Sequence, residues 1–285
     1  MIEEVYKTKT LDEAFNLLEA KSEAMIIAGG TDLVVHMRNG RVSKKVLIDI
    51  SEVKEIKEIK EEDNLIKIGA GITFNDIINC DKFNRNLYGL KKAAILVGSQ
   101  EVRSKGTVGG NICNNSPSAD LIPPLLALDS KVTIQSKNKE RKVYLKDILI
   151  DKNKVDLKED EILTYIEFEK PKPNQVLSFS KLGFRKSLSI TKVSASVFVD
   201  IERYKFKNIK VTVGVLDDTS TRENNVEKCL IGKDINEKNI REYLVLLEKN
   251  ISESLEEENG MAFKSRAVKG VVYNAIKESI NGVLR

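Results

Sequence analysis

The chain has 285 residues, 41% of them hydrophobic and 32% charged, and its 47 basic and 43 acidic side chains leave a formal net charge of +4. That length exceeds the usual size of one compact core, which predicts two domains. Both charge signs are interleaved, as in KEIKEIKEED, tryptophan is absent and aromatics make up 6%, a solvated surface that argues against a nucleic-acid partner.

In chain order, LDEAFNLLEA places Leu11, Ala14, Phe15 and Leu18 at helical spacing. AMIIAGGTDL reads as a buried strand running into a tight turn and a new helix that Thr31 or Asp32 can cap, with His36 on the surface of that helix. VLIDIS and NLIKIGAGIT are strand-like, and Thr73 is positioned to cap the helix that follows. Gly69-Ala70-Gly71 lacks the third glycine of a dinucleotide fingerprint, since position 74 is Phe, and no P-loop pattern occurs.

Residues 91–130 carry a helix with Ala93, Ala94, Leu96 and Val97 on its apolar positions, then Arg103, a glycine turn, an Asn-Ser-Pro loop and an apolar helix ending at Leu128. Pro123 and Pro124 fit the first turn of that last helix, where no amide hydrogen is needed. KVTIQS resumes as a strand, and the polar stretch around 150–175, with Pro171 and Pro173, marks a joint. The expected domains are 1–172 and 175–285. The second reads as strand, turn, helix-like apolar segment and two further strands, followed by amphipathic helices in REYLVLLEKNI and FKSRAVKGVVYNAIKESI.

No run of eighteen apolar residues occurs and the opening MIEEVYKTKT is polar, so neither a membrane span nor a secretory signal is expected, and the expected location is cytoplasmic. Cys80, Cys113 and Cys229 are scattered and His36 is the single histidine, which leaves no ligand set for structural zinc or an iron–sulfur cluster. Redox chemistry here would need a cofactor held without metal ligation. Cys113 reads as a small packing residue.

The two glycine turns, Ala28-Gly29-Gly30-Thr31-Asp32 and Thr107-Val108-Gly109-Gly110-Asn111, lie some eighty residues apart, each beside apolar strand-like runs. Glycine lets backbone N–H groups converge at close range, so the pair points to a diphosphate held from both sides.

Together AGGTDL, SQEVRSKGTVGGN, SPSADLIPPLLALDSKV and FSKLGFRKS resemble the FAD-binding (medium) subunit of molybdenum hydroxylases, the xanthine, nicotinate and carbon monoxide dehydrogenase family. The resemblance implies an α+β fold: a two-lobed FAD-binding domain of the PCMH or vanillyl-alcohol-oxidase type, then a smaller C-terminal α+β domain of the CO-dehydrogenase flavoprotein type. It implies noncovalent FAD contacted by Ala28, Gly29, Gly30, Thr31, Asp32 and Leu33, by Thr107, Gly109, Gly110 and Asn111, and by Asp120 at the ribose or adenine end. Lys181 matches a lysine near the flavin ring and Leu163 an apolar residue covering it; the alternatives are a solvent-exposed lysine and a plain core leucine. Arg103 is read as structural.

The implied role is electron transfer, from [2Fe–2S] clusters of a small partner to NAD⁺ or another acceptor. Molybdopterin sits on a large partner subunit, and the assembly is a dimer of heterotrimers. No side chain of this chain acts as a catalytic nucleophile. Two other readings stay open: a free-standing flavin oxidoreductase of the same superfamily, and a non-catalytic scaffold or nucleotide-sensing subunit. The sequence departs from the family after Arg185, where Lys186, Ser187, Leu188 and Ser189 follow and Ser189 stands in place of an acid.

Overall fold

The computed structural model describes residues 2–185, 188–216, 219–254 and 261–284. It divides into two compact units that alternate along the chain: Met1–Asp76, Ser99–Asn115 and Ser130–Lys170 form the first, and Ile77–Gly98, Ser116–Asp129 and Pro171–Arg285 the second.

The first unit opens with strands β1 (Glu4–Lys7), β2 (Ala24–Ile27) and β3 (Val46–Asp49), paired in parallel in the order β1-β3-β2. Helix Leu11–Ala20 connects β1 to β2 and starts at Thr10, whose hydroxyl accepts the Glu13 N–H at 3.2 Å. Such a cap satisfies an otherwise unpaired amide and stabilises by about 1 kcal/mol. Ala14, Phe15 and Leu18 are buried in one cluster with Val46, Ile48 and Ile50. The period-3.6 face thus packs as its spacing requires.

A second, antiparallel sheet joins β4 (Ile59–Glu62), β5 (Leu65–Gly69), β6 (Lys131–Ser136), β7 (Lys139–Tyr144) and β10 (Ile162–Glu169) in the order β4-β5-β10-β6-β7. Two short strands, β8 (Leu149–Asp151) and β9 (Lys154–Val155), pair separately. The pairing of β10 with β6 slips between Leu163 and Tyr165, so Thr164 is an extra residue. Its carbonyl accepts the Ala70 N–H at 2.8 Å and its hydroxyl donates to the Thr133 carbonyl at 3.2 Å. A bulge of this kind re-aims a strand, and here it ties β10 to the Gly69-Ala70-Gly71 turn. Beyond that turn Thr73 caps as expected: its hydroxyl accepts the Asp76 N–H at 3.1 Å, and Asp76 accepts the Thr73 N–H at 2.8 Å.

The second unit is built on an antiparallel sheet of β11 (Gln175–Gly183), β12 (Thr191–Glu202), β13 (Lys205–Gly214) and β14 (Thr221–Arg222). The helix-like segment expected between its first strands is corrected: Thr191–Glu202 is one continuous strand, and Lys186 and Ser187 lie outside the described residues. All but two residues of that strand are buried. Its sequence alternates with period 2, Val193, Ala195, Val197, Val199 and Ile201 entering the core and Ser194, Ser196 and Asp200 lying between them, which is the pattern of a strand. Helices Glu237–Ser254 and Met261–Leu284 bury Tyr243, Leu247, Val272 and Ile276 in one core with Val197, Val199 and Val211. Helix Ile122–Ala127 carries Pro123 and Pro124 in its first turn, as the sequence requires. Among the described residues no helix is long and apolar enough to cross a membrane, and no group of three potential metal ligands occurs.

Candidate functional site

The first glycine turn leaves the end of β2 and enters helix Leu33–Arg38. Gly30 sits at φ +69°, where a side chain is strained, and a Cβ on Gly29 would come within 1.9 Å of the Lys105 carbonyl oxygen. Lys105 ends helix Gln100–Lys105, directly before the second turn. Gly29 is therefore what lets the two turns touch. Asp32 starts its helix without a side-chain cap, so the capping expected of Thr31 or Asp32 is not made. Half-buried His36 lies in that helix, as the sequence placed it.

Among the described residues, the backbone N–H groups of Ala28, Gly29, Gly30, Thr31, Asp32 and Leu33 donate to no protein acceptor. These residues are half-buried or exposed and lead into the first turn of helix Leu33–Arg38, whose leading amides have no intrahelical acceptor, so the turn presents free donors to a ligand. The second turn is different. Val108 N–H donates to Ile72 at 2.9 Å, Gly109 to Ala70 at 2.8 Å, Gly110 to the Thr107 hydroxyl at 3.0 Å and Asn111 to the Thr107 carbonyl at 2.9 Å. A Cβ on Gly109 would lie 2.6 Å from the Ala70 Cβ. The second turn is a close-packed buttress, while the first carries the open donors.

Beside the turns lies a cavity of about 430 Å³ lined by Met25, Ile26, Ala28, Ala70, Thr107, Gly109, Gly110, Cys113 and Leu163, with Lys44, Leu157, Lys158, Glu159 and Glu161 completing the wall. Cys113 is half-buried in the cavity wall, and burial pushes its thiol up to about 12, which disfavours the thiolate. Leu163 is both buried and cavity-lining, set there by the Thr164 bulge. Asn111, in the first turn of helix Val108–Asn114, has a buried Oδ1 with no hydrogen-bond donor. The open amides of the first turn and an apolar cavity that begins at Ala28 and takes in Thr107, Gly109 and Gly110 together fit a ligand with a diphosphate and an aromatic ring. They fit FAD.

Of the residues singled out in the sequence, Ala28, Thr107, Gly109, Gly110 and Leu163 meet in this one cavity, and Gly29 to Leu33 continue the same turn. Ala70 and the segment 157–161 escaped the sequence reading. Gly69-Ala70-Gly71 did carry a signal, because a Cβ on Gly69 would meet the Ile56 carbonyl at 2.2 Å and Gly109 leaves room only for a small neighbour.

Asp120 and Lys181 lie in the second unit and face each other. The Lys181 ammonium donates to Asp120 Oδ2 at 2.6 Å and to the Leu96 carbonyl at 3.1 Å, and the Thr191 hydroxyl donates to Asp120 Oδ1 at 2.6 Å. The two side chains are 5% and 7% exposed, which rules out the surface alternative for Lys181. Burial raises the Asp120 carboxyl above its ordinary value, against the pull of the Lys181 charge and of both hydrogen bonds. Thr191 escaped the sequence reading because nothing local pairs it with a residue seventy-one positions away. Near the family departure, Arg185 donates to the Leu188 carbonyl at 3.0 Å, and Ser189 fills the space in front of Gly183, whose added Cβ would lie 2.2 Å from its hydroxyl.

A family model described as the FAD binding domain in molybdopterin dehydrogenase matches residues 1–171, and one described as the CO dehydrogenase flavoprotein C-terminal domain matches residues 178–279. The chain belongs to the family of FAD-binding subunits of molybdenum hydroxylases. It is 30% identical to the nicotinate dehydrogenase FAD-subunit of Eubacterium barkeri, over 94% of this chain and 93% of that one. It is 25% identical to the glyceraldehyde dehydrogenase medium chain of Sulfolobus acidocaldarius, over 95% and 96%. Its fold matches a carbon monoxide dehydrogenase chain from Hydrogenophaga pseudoflava with a TM-score of 0.91 at 23% identity, covering 99% and 98% of the two chains. The two-lobed FAD-binding domain followed by a C-terminal α+β domain is thus the architecture of this chain.

Proposed function

We propose that this chain holds FAD noncovalently, with the diphosphate on the amides of Ala28 to Leu33, and serves as the electron-transfer subunit of a molybdenum hydroxylase complex. The observation that carries this reading is the run of six unpaired amides beside the apolar cavity. When bound, FAD supplies a redox centre able to exchange electrons both singly and as hydride. The chain's own residues bind, orient and exclude water.

The amides solvate the diphosphate without adding fixed charge, and Gly29 and Gly109 allow the close packing that holds both turns in place. Asn111 offers an acceptor to a hydroxyl or amino donor of the cofactor. Leu163 with its apolar neighbours keeps water from the ring that enters the cavity. Lys181, held by Asp120 and the Leu96 carbonyl, is a fixed cation that favours negative charge developing on the reduced cofactor. Asp120, tied to Lys181 at 2.6 Å, is proposed to act at the same part of the cofactor as Lys181, which replaces the expectation that it serves the ribose or adenine end while Lys181 serves the flavin ring. No side chain is required to act as a nucleophile.

Electrons come from [2Fe–2S] clusters on a small partner and leave to NAD⁺ or another acceptor, while molybdopterin sits on a large partner, in an assembly of two copies of each of three subunits. The designation of relatives as medium chains supports a larger and a smaller companion. Anaerobic addition of NADH to the FAD-loaded chain tests the acceptor: bleaching near 450 nm is expected. A flavin spectrum that NADH leaves unchanged contradicts the nicotinamide as acceptor.

A further inference from the structure

One wall of the cavity is the segment 156–161, between β9 and β10, which contributes Leu157, Lys158, Glu159 and Glu161. A loop of six residues with two acidic and one basic side chain facing a cofactor pocket needs an anchor to keep its shape. The anchor comes from β7, the edge strand of the five-stranded sheet. Arg141 donates from Nε to Glu161 Oε1 at 3.0 Å and from Nη2 to Glu161 Oε2 at 2.8 Å, a two-point grip, and from Nη1 to Asp156 Oδ2 at 2.8 Å. It also donates to the Asp156 carbonyl. Glu161 Oε2 in turn accepts the Lys158 N–H at 2.9 Å, closing the turn from within. One guanidinium therefore pins both ends of the segment. At the segment's outer tip, Glu159 accepts from the Lys44 ammonium at 2.8 Å and is itself 81% exposed. That contact is screened and weak, whereas Glu161 is 10% exposed.

We propose that Arg141 is a positioning residue of the cofactor cavity, acting through Asp156 and Glu161 to hold the segment 156–161 as the wall against which FAD packs. This rests on the reading that the cavity receives part of the FAD. Arg141 itself does not line the cavity. Its planar fork is what matters, because a lysine offers the charge without the two-point grip.

The test uses the full-length chain loaded with FAD, following flavin fluorescence as FAD is released on dilution, alongside the melting temperature with and without FAD. Arg141→Met is expected to release FAD at least about tenfold faster and to shrink the FAD-induced rise in melting temperature, beyond the fall in cofactor-free melting temperature that loss of its ion pairs brings. Arg141→Lys is expected to fall between the two. Should Arg141→Met not fold, Glu161→Gln, which keeps shape and removes the charge of one partner, is expected to speed release about threefold or more. A fall in cofactor-free stability with unchanged release and an unchanged FAD-induced rise overturns the proposal and makes Arg141 a sheet residue only. If the unsubstituted chain retains no FAD, the underlying reading falls and takes the proposal with it.

Discussion

Gly29 faces a backbone carbonyl, and a backbone atom cannot swing aside as a flexible side chain does. Gly29→Ala would place its Cβ 1.9 Å from Lys105 O, so the two turns must separate. We expect about 1–3 kcal/mol of destabilisation and at least a tenfold weaker grip on FAD, read by denaturant unfolding and by FAD titration; unchanged values in both would show that the contact yields. Asp120 and Lys181 make a second residue-level prediction, for a buried ion pair is costly to half-remove and cheap to replace whole. Asp120→Asn leaves the Lys181 ammonium buried without its counter-charge and is expected to cost about 3 kcal/mol, whereas Asp120→Leu with Lys181→Met recovers most of the loss. Equal stability of the single and double variants would contradict this. Cys113 gives a third: with its thiol pushed up to about 12, it should resist iodoacetamide at pH 8 in the folded chain while exposed Cys229 is alkylated, as read by peptide mass spectrometry. Rapid alkylation of Cys113 would mean the cavity admits reagent and the thiol ionises. At this scale the glycines were legible because their steric demand is written in residue type. Thr191, Ala70 and Arg141 were not, because each acts through a partner far away in sequence.

Elements share the site unequally. The first turn follows an edge strand, so its amides have no neighbouring strand to meet, whereas the second is enclosed by the Ala70-Ile72 segment and by its own Thr107 cap. Two similar Gly-Gly motifs therefore do different work, and the difference arises from topology, which local sequence does not carry. The helices were legible from their 3.6-residue periodicity, and Thr73 from its capping pattern. β12 carries a strand's alternation in Val193, Ala195, Val197, Val199 and Ile201, a signal the helix-like expectation passed over. The segment 156–161 adds a pH dependence. Burial alone would raise the Glu161 carboxyl, but hydrogen bonds from Arg141 and from the Lys158 N–H outweigh it and hold the group below its ordinary value. A depressed carboxylate contributes stability above its unfolded value, near 4.3, and loses it as pH falls through the lower folded value. Release of FAD should therefore accelerate as pH drops below about 4.3, and Glu161→Gln should release FAD at a raised rate with that part of the pH dependence gone. An identical acid limb in the variant would place the titrating group elsewhere.

For the whole chain, the two family models divide the sequence once, at 1–171 and 178–279, whereas the compact units interleave, with residues 77–98 and 116–129 of the first match grouped with the C-terminal part. Interleaving of that kind leaves no single point at which the chain could be cut into the two units, and composition shifts such as the one near residue 171 mark only the last of the crossings. A ligand that binds the folded chain alone stabilises it by mass action, by about 2.7 kcal/mol at a hundred times its dissociation constant. The proposed site, made of the open amides of the first turn and the cavity beside it, holds one FAD without a covalent bond. The most direct test is the absorbance spectrum, from 300 to 550 nm, of the full-length chain incubated with FAD and desalted, and of the supernatant after acid precipitation. About one flavin per chain is expected after desalting, all of it free in the supernatant; a chain that emerges colourless, or a flavin that precipitates with it, would contradict noncovalent binding at this site.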